Sequence, residues 1–350
     1  MTGAKARRRL LAITDRSDSA STAHVRGDIF RESFARNGWD VVFVDLMCMP
    51  TLLRALPAWM TKRRIIAMAP QFDAVYLLKT ASLDLVRALK ARGRAKVIFD
   101  FGDALWRPNF QPRWRDLDRI LAGVDAVFTE NEVMVGYARL HNRRVYDLPL
   151  CTQTEKFDAA RRQRRIRAAT SVTVGWVGSH STSMALQKVR DALDNVGSRH
   201  PGLRLRVLGA SADSLPRFSH VEVSAQRAYD EEAMIREILD FDVGIFPPPG
   251  DIEDYEARGT LKGVLYMSGG VASIFQNAGD CKRFVVDGVN GMLAKDPAEW
   301  EAKLEALVSS GELRERMGRA ALETVRMHHS LANVFALTES ALLEVIGDSI

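Results

Sequence analysis

Short apolar segments and amphipathic helical segments alternate along this chain, and the alternation runs through it twice. In the first half, continuous apolar runs predict buried strands at residues 10–14, 41–46, 74–78, 96–101 and 125–130, and the stretch 143–149 closes this half. Apolar residues at helical spacing lie between them, as in Leu83, Val86 and Leu89. Strands that are apolar throughout are typical of parallel sheets covered by helices on both faces. The first half is therefore predicted to be an α/β unit of the Rossmann type.

The alternation breaks at the basic stretch 158–169 (DAARRQRRIRAA), which contains no apolar strand pattern. It then restarts, with strands predicted at 172–178, 203–209, 221–224, 242–246 and 271–275. We therefore predict two tandem Rossmann-like domains, 1–165 and 166–330, with a last helix near 330–350 that packs back on the first. The cleft between two such units, outside the carboxyl ends of the strands, is the expected ligand site.

The charge and cysteine content narrow the classes of partner. The 350-residue chain has 49 Lys and Arg against 44 Asp and Glu, a net charge of +5. That balance favours anionic partners such as nucleotides or lipid surfaces, and it equally suits an ordinary solvated surface. No nucleic-acid-binding motif occurs, so no nucleic-acid partner is predicted. The cysteines, Cys48, Cys151 and Cys281, lack metal-ligand or redox spacing, which fits a reducing cytoplasm.

Residues 52–68 (LLRALPAWMTKRRIIAM) depart from the pattern. They mix large apolar side chains with Arg54, Lys62, Arg63 and Arg64, a composition that suits an amphipathic helix lying on an anionic membrane. The alternative is a crossover helix packed on the sheet. No stretch of the sequence is long enough to cross a bilayer. We therefore expect a cytoplasmic protein, with peripheral contact at the inner face of the membrane as one interpretation of this segment.

The first candidate phosphate-binding element is the stretch 172–182 (VTVGWVGSHST). A buried strand leads into Gly178 and Ser179 and then into a helix, whose first turn presents free backbone N–H groups. Gly178 would let a ligand approach the backbone, and Ser179 offers a hydroxyl. Many α/β proteins end a strand in this way with a plain N-cap, so the pattern alone does not identify a ligand.

The second candidate is the stretch 247–270 (PPPGDIEDYEARGTLKGVLYMSGG). An acidic loop precedes a short helix that carries Arg258 and Lys262. A lysine one turn into this helix is suited to neutralising a diphosphate, and a solvated surface lysine is the alternative. Further along, Asp-Gly and Asn-Gly within 285–300 predict two tight turns.

The stretch 96–106 (KVIFDFGDALW) places carboxylates at a strand end. Asp100 and Asp103 flank Gly102, and carboxylates at this edge of a parallel sheet are expected to face the cleft. One acidic pair without histidine or further carboxylates does not predict a metal ion, so no metal site is expected.

Taken in order, these stretches resemble the GT-B glycosyltransferases, in particular the retaining family four (glycosyl transferases group 1). Val177-Gly178-Ser179 is similar to the strand end that opens the family's nucleotide domain. Residues 261–270 resemble its Phe-Lys-Leu-Leu-Glu-Tyr-Met-Ala-Ala-Gly helix, and 287–291 resemble its Asp-Gly-Val-Asn-Gly turn. Residues 98–106 look like the Asp-Phe-Asp-Asp-Ala stretch of one branch, and 125–157 look like the hinge-proximal strand, helix and strand. The resemblance covers nearly the whole chain.

The resemblance implies a function. It implies transfer of a sugar from a nucleoside-diphosphate sugar to a saccharide or lipid-linked hydroxyl acceptor, with retained configuration and without metal or further cofactor. Cell-envelope polysaccharide or glycolipid synthesis is the setting expected for this type. The donor-binding candidates are Gly178, Ser179, Arg258, Lys262 and Glu256. The catalytic candidates are Asp103 and His24.

The sequence departs from the family in the catalytic positions. Of the family's two glutamates, the first falls near Ala257, where Glu256 is a substitute, and the second falls on Leu265, where nothing replaces it. Residues 179–186 lack the usual Arg and Lys. A family histidine falls on Gly102, next to Asp103.

The glycine-rich acceptor loop of the family is also missing. In its place stands DRSDSASTAH (15–24), where His24 and the following Arg26 are the polar candidates. The departures motivate a second hypothesis, a non-catalytic GT-B protein that binds a nucleotide or a protein partner. A third is a nucleotide-sugar epimerase. A dinucleotide oxidoreductase is disfavoured because no G-x-G-x-x-G follows the first strand.

Overall fold

The computed structural model of the chain describes residues 7–14, 26–45, 58–108, 113–163, 171–248, 250, 255–257 and 259–347. It divides into two compact units. The first is Met1–Cys151 together with Leu331–Ile350, and the second is Thr152–Ser330.

The first unit is built on a parallel sheet of six strands. These are β1 (Arg8–Thr14), β2 (Trp39–Asp45), β3 (Ala74–Leu78), β4 (Lys96–Asp100), β5 (Ala126–Thr129) and β6 (Val145–Asp147). Its helices are α1 (Arg31–Arg36), α2 (Ala58–Met68), α3 (Leu83–Ala91), α4 (Leu117–Gly123), α5 (Glu132–Arg139) and, from the end of the chain, α13 (Leu331–Ile346). The strand order β2-β1-β3-β4-β5-β6 is that of a doubly wound sheet.

Helices cover both faces of this sheet, which explains why its strands are apolar throughout. All five residues of β3 are buried. Alternate residues of each strand contribute to two separate apolar cores, one on each face. On one face α13 packs against α1, where the ring of Phe335 lies 5.0 Å from that of Phe34. Trp39 Nε1 also donates to Glu339 Oε1 over 2.8 Å.

The described part of 52–68 is the helix α2, and it packs on the sheet. Ile65 is only 2 % exposed and lies in the same apolar core as Leu85 and Leu89 of α3. Lys62, Arg63 and Arg64 are exposed. Residues 52–57 lie outside the described part. Within the described helices, none combines the length and apolarity needed to span a bilayer. The crossover interpretation therefore accounts for the apolar side of this helix, and membrane contact through its basic side stays a prediction.

The second unit repeats the architecture. Its strands are β7 (Thr173–Val177), β8 (Arg204–Leu208), β9 (Glu222–Gln226), β10 (Val243–Phe246), β11 (Ala272–Gln276) and β12 (Met292–Ala294). Its helices are α6 (Thr154–Gln163), α7 (Arg190–Arg199), α8 (Glu231–Leu239), α9 (Leu261–Ser268), α10 (Cys281–Phe284), α11 (Pro297–Ser309) and α12 (Gly311–His328). The parallel strand order is β12-β11-β10-β7-β8-β9. Two α/β units with parallel sheets confirm the predicted fold class.

The division between the units lies earlier than the sequence suggested. We predicted it after residue 165, within the basic stretch, whereas the compact units divide after Cys151. The reason is α6, whose Phe157 is buried in a core of the second unit with Ile235 and Leu239 of α8. The basic residues that follow Phe157 hid this apolar contact from the composition argument.

Candidate functional site

Hydroxyl groups within the turn after β7 form hydrogen bonds that stabilise it. Gly178 N donates to Leu208 O over 2.9 Å, which continues the sheet by one residue. Ser179 caps the 3-10 helix His180–Val189, and Thr182 Oγ1 accepts from Ser179 N over 3.1 Å in a capping box. Ser179 Oγ also lies 3.0 Å from Ser181 Oγ. Ser179 is exposed and acts as an N-cap in this structure, so its contact with a phosphate stays a prediction.

Gly178 is required by the packing around it. A Cβ at this position would collide with the ring of Trp176 and would lie 2.8 Å from Lys262 Nζ. Its carbonyl is packed equally tightly, because a Cβ on Gly209, which has φ +92°, would collide with Gly178 O. The sequence suggested this glycine for close approach of a ligand. The side chains of Trp176 and Lys262 give a direct structural reason for it.

Lys262 is brought to this turn from the first turn of α9. Its Nζ donates to Thr182 Oγ1 over 3.1 Å. The same nitrogen lies 4.6 Å from the ring centroid of Trp176 and 5.8 Å from that of Phe246. The structure therefore joins Lys262 to Gly178 and Ser179, which are more than 80 positions away in the sequence.

Helix α9 is fixed at its side by Tyr266. The hydroxyl of Tyr266 accepts from Val177 N over 2.8 Å. Strand β10 pairs with β7 only at Val174 and Gly175, so Tyr266 satisfies the amide that the ladder leaves beyond them. Burial raises the pKa of Tyr266 well above its ordinary value, so its hydroxyl stays neutral. The end of β7 and the helix that carries Lys262 are thus held in register.

The remaining candidates of the second unit are Glu256 and Arg258, beside the two positions where the family has its glutamates. Glu256 is half-exposed and lies 4.0 Å from Lys282 Nζ. Arg258 lies outside the described residues. Leu265, at the family's second glutamate, packs against the apolar core of the unit, and Ala257 is fully buried. An apolar environment at Leu265 agrees with the loss of a carboxylate there.

In the first unit, Asp100 forms a buried ion cluster. The Arg26 guanidinium donates to both Asp100 oxygens, through Nε to Oδ1 and through Nη2 to Oδ2 over 3.1 Å. The hydroxyl of Tyr76 donates to Oδ2. Glu130 Oε2 lies 4.0 Å from Arg26 Nη1, and all four side chains are buried. We expected Asp100 to face a cleft, and this was wrong, because it is the buried counter-ion of Arg26.

The charges in this cluster fix one another. Burial raises the pKa of Tyr76 well above its ordinary value, and the Asp100 carboxylate raises it further. Burial alone would lower the pKa of Arg26, but the carboxylates of Asp100 and Glu130 outweigh it and raise that pKa. Arg26 therefore stays a cation inside the unit, and Tyr76 stays a neutral donor.

Asp103, three residues further on, remains accessible. Its Oδ2 lies 2.5 Å from Lys79 Nζ, and its side chain is 30 % exposed. Lys79 follows β3 in a left-handed backbone conformation, with φ +47°. At Gly102, between the two aspartates, a Cβ would lie 2.8 Å from Glu130 Oε1, so a larger residue would require the Glu130 side chain to shift. His24, the other catalytic candidate, lies outside the described residues.

Sequence reasoning missed three residues at this edge of the first sheet. Lys79 follows β3 directly, Glu130 follows β5 directly, and Tyr76 lies within β3. The available signal was position, since polar residues directly after apolar parallel strands lie at the carboxyl edge. The same rule would have selected Lys79 and Glu130 together with Asp103.

The Asp-Gly-Val-Asn-Gly stretch is a structural turn. Asn290 is buried, its Oδ1 accepts from Val286 N over 2.7 Å, and its Nδ2 donates to Phe284 O over 2.9 Å. Asp287 Oδ1 accepts from Leu293 N over 2.8 Å and so fixes the start of β12. The side chains of Asn290 and Asp287 are thus engaged in hydrogen bonds within the turn. These bonds explain the residues of this stretch without a ligand.

No group of three or more His, Cys, Asp or Glu side chains within the described ranges is placed to hold a metal ion. At the carboxyl edge of the first sheet, Lys79 and Asp103 form a pair of opposite charge.

The two units are those of the GT-B fold, the architecture of a large class of glycosyltransferases. Among solved structures, a glycosyltransferase from Rickettsia africae superimposes with a TM-score of 0.72 at 13% identity, covering 98% of this chain and 100% of that one. The sucrose-phosphate synthase of Thermosynechococcus elongatus has a TM-score of 0.71 at 14% identity, with 98% and 100% covered. Anabaena HepE, solved with UDP and glucose, has a TM-score of 0.69 at 13% identity, with 96% and 100% covered.

Neither the models of protein families nor the curated protein sequences contain a match to this chain. The likeness is thus one of structure, at identities that show the fold alone. The GT-B fold expected from the sequence resemblance is confirmed.

Proposed function

We propose that the protein transfers a sugar from a nucleoside-diphosphate sugar to a hydroxyl acceptor. The observation that carries this proposal is the position of Lys262, whose ammonium group lies against the turn after β7 and donates to Thr182. On an open parallel sheet, the carboxyl ends of the strands are the usual ligand edge. A cation at that edge suits an anionic ligand, and the GT-B fold favours a nucleotide sugar.

Sugar transfer releases a nucleoside diphosphate, and the protein must stabilise this leaving group. The charge that develops on the leaving group is best met by fixed donors that need no rearrangement. Lys262 supplies a positive charge, and the hydroxyls of Ser179, Ser181 and Thr182 supply donors beside it. The starts of α9 and of the helix at His180 add partial positive charge. Arg258 and Glu256 are the other two residues proposed to contact the nucleotide sugar.

Uridine nucleotides are the first donors to test. Anabaena HepE has been solved with UDP-glucose, and so has an α-glucosyltransferase of the same fold. Those ligands belong to those proteins. Transferred to this chain as a proposal, they make UDP-glucose the first candidate substrate, ahead of GDP and ADP sugars.

We place the acceptor on the first unit, at Asp103 and His24. Asp103 offers an accessible carboxylate that can accept a hydrogen bond from an acceptor hydroxyl, and Lys79 holds it from the other side. The proposed acceptor is a saccharide or a lipid-linked saccharide of cell-envelope polysaccharide or glycolipid synthesis. Transfer with retained configuration and without metal is proposed from the same resemblance. The exposed basic side of α2 is the proposed contact with the inner face of the membrane.

A calorimetric titration of the purified chain with UDP, GDP, ADP and their common sugars tests the donor site. One diphosphate should bind selectively, and Lys262→Ala should weaken it on the order of tenfold or more, because one charge-assisted contact is lost. Arg204→Ala is the matched control, since it removes one cation at the opposite edge of the same sheet. Equal weakening by both variants, or no binding at millimolar concentration, would contradict the proposal.

A second candidate function is nucleotide binding without turnover. It is favoured by one observation, the partly buried Leu265, which packs against the apolar core where the resemblance expects a glutamate. It predicts that a nucleotide sugar binds and that no diphosphate is released over hours. Release of the nucleoside diphosphate above the Lys262→Ala background would exclude it.

A further inference from the structure

We propose that Trp176 is a positioning residue for the donor diphosphate, because its indole face holds the Lys262 ammonium group in place at the turn after β7. The proposal rests on the donor site proposed above. It assigns to a fully buried core tryptophan a specific role in phosphate recognition.

The contact geometry is that of a cation held on an aromatic face. Lys262 Nζ lies 4.6 Å from the Trp176 ring centroid, within the distance at which the ring quadrupole attracts a cation. Phe246 provides a second ring at 5.8 Å, and Thr182 Oγ1 accepts one proton of the ammonium group at 3.1 Å. These three contacts fix the end of a side chain that otherwise has four rotatable bonds.

Gly178 makes this contact sterically allowed. The ring of Trp176 and the ammonium nitrogen of Lys262 both lie where a side chain at position 178 would be. The glycine that the sequence pattern connects with phosphate binding thus serves the pair of Trp176 and Lys262. Any larger residue at 178 would separate that pair or displace the turn.

The indole N–H shows why a tryptophan at this position needs an explanation. Trp176 Nε1 is buried and finds no hydrogen-bond partner among the residues that the structure describes, whereas a buried tryptophan normally donates to one. A buried donor without a partner is destabilising. Filling the core therefore does not by itself account for an indole at this position, whereas the contact of its face with the Lys262 ammonium group does.

Trp300 offers a direct contrast within the same apolar core. It is buried as well, but its Nε1 donates to Gln276 Oε1 over 3.2 Å. The size of Trp300 and its hydrogen bond therefore account for its place in the core. It provides a matched control for the loss of a large side chain from this core.

The consequence for binding is preorganisation. A lysine that must be ordered when the ligand arrives loses side-chain entropy at that moment, and this loss weakens binding. Residues 179–186 contain neither Arg nor Lys, so in this stretch no other cation can replace a displaced Lys262. Holding Lys262 in advance should strengthen the binding of the diphosphate and leave the binding of the nucleoside unchanged.

The test measures binding of UDP, GDP and ADP, each beside its nucleoside, to the full-length chain by calorimetry. The ratio of nucleoside to diphosphate dissociation constants reports the phosphate part alone. Trp176→Leu should lower that ratio on the order of five- to tenfold. Trp176→Phe keeps an aromatic face and should lower it by no more than about threefold.

The controls separate positioning from a structural role. Trp300→Leu should leave the ratio unchanged, and Trp176→Leu should add no further loss in the background of Lys262→Ala. Where Trp176→Leu does not fold, fluorinated tryptophans inserted at position 176 keep the size of the ring and weaken its negative face. The ratio should then fall as fluorine atoms are added.

An unchanged ratio in Trp176→Leu or in the fluorinated series would overturn this inference. The proposed donor site would still stand, provided that Lys262→Ala weakens binding of the nucleoside diphosphate. An equal fall with Trp300→Leu would also overturn it. Failure of the wild-type chain to bind any of the three diphosphates would instead overturn the proposed function, and this inference with it.

Discussion

Removal of Arg26 should destabilise the first unit strongly. The variant Arg26→Met keeps most of the apolar stem and removes the only cation that contacts both Asp100 and Glu130 among the described residues. Breaking one buried pair by deletion of a partner costs roughly 3–5 kcal/mol, because it leaves an uncompensated charge. The buried Asp100 carboxylate loses its guanidinium partner here, and among the described residues the Tyr76 hydroxyl still donates to it. We therefore expect a loss within that range.

Urea unfolding followed by circular dichroism would measure this loss. Two units can unfold in separate transitions, so hydrogen exchange read by mass spectrometry should assign the weakened transition to β1, β3, β4 and β5. The free energy of unfolding of a domain is about 5–15 kcal/mol, so the shift would be a large part of the total.

Two comparisons make the result specific to burial. Arg9→Met breaks an exposed pair with Asp40, whose atoms are 3.1 Å apart, and should cost about 0–1 kcal/mol. The double variant Arg26→Met/Asp100→Asn also removes the carboxylate charge that the single variant leaves without its guanidinium partner, and should recover part of the loss. If Arg26→Met costs as little as Arg9→Met, the account of a buried, charge-coupled cluster is wrong.

Two further predictions concern stability. Lys79→Asn should change the free energy of unfolding by less than about 1 kcal/mol, because asparagine tolerates the left-handed backbone better than lysine and this gain offsets the loss of the part-buried pair with Asp103; a loss above about 2 kcal/mol would contradict this. The hydrogen bond from His200 lowers the pKa of Glu305 from 4.5 to about 2, so its stabilising contribution is complete above pH 4.5 and is lost as the pH falls toward 2. Thermal unfolding across that window should show a smaller acid loss in His200→Ala, and identical profiles would refute the assignment.

The strands could be predicted because burial on both faces of the sheet makes their sequences apolar throughout. Strand β3 is buried on both faces, and its apolar run Ala74–Leu78 has the observed bounds. Strand β12 is not among the predicted strands, because three residues between a turn and a helix carry too little pattern. Length and continuity of the apolar run decided which strands could be recognised.

Candidate site residues could be selected from the sequence only where they lie close to a strand end. Asp103 and Gly178 were selected in this way. The sequence gives no sign that Asp100 is buried, since its partner Arg26 is 74 positions away. The contact of Lys262 with Trp176 is equally non-local. Partners of this kind are set by the packing of helices on the sheet, which a local pattern does not contain.

Release of nucleoside diphosphate from UDP-glucose, measured together with transfer of labelled glucose into a cell-envelope fraction of the source organism, tests the central claim most directly. The account predicts release and transfer by the wild-type chain, loss of both in Lys262→Ala, and retention of both in Arg204→Ala. A wild-type chain that binds UDP-glucose but releases no more UDP than Lys262→Ala would contradict it, and the protein would then be a nucleotide-binding member of this fold.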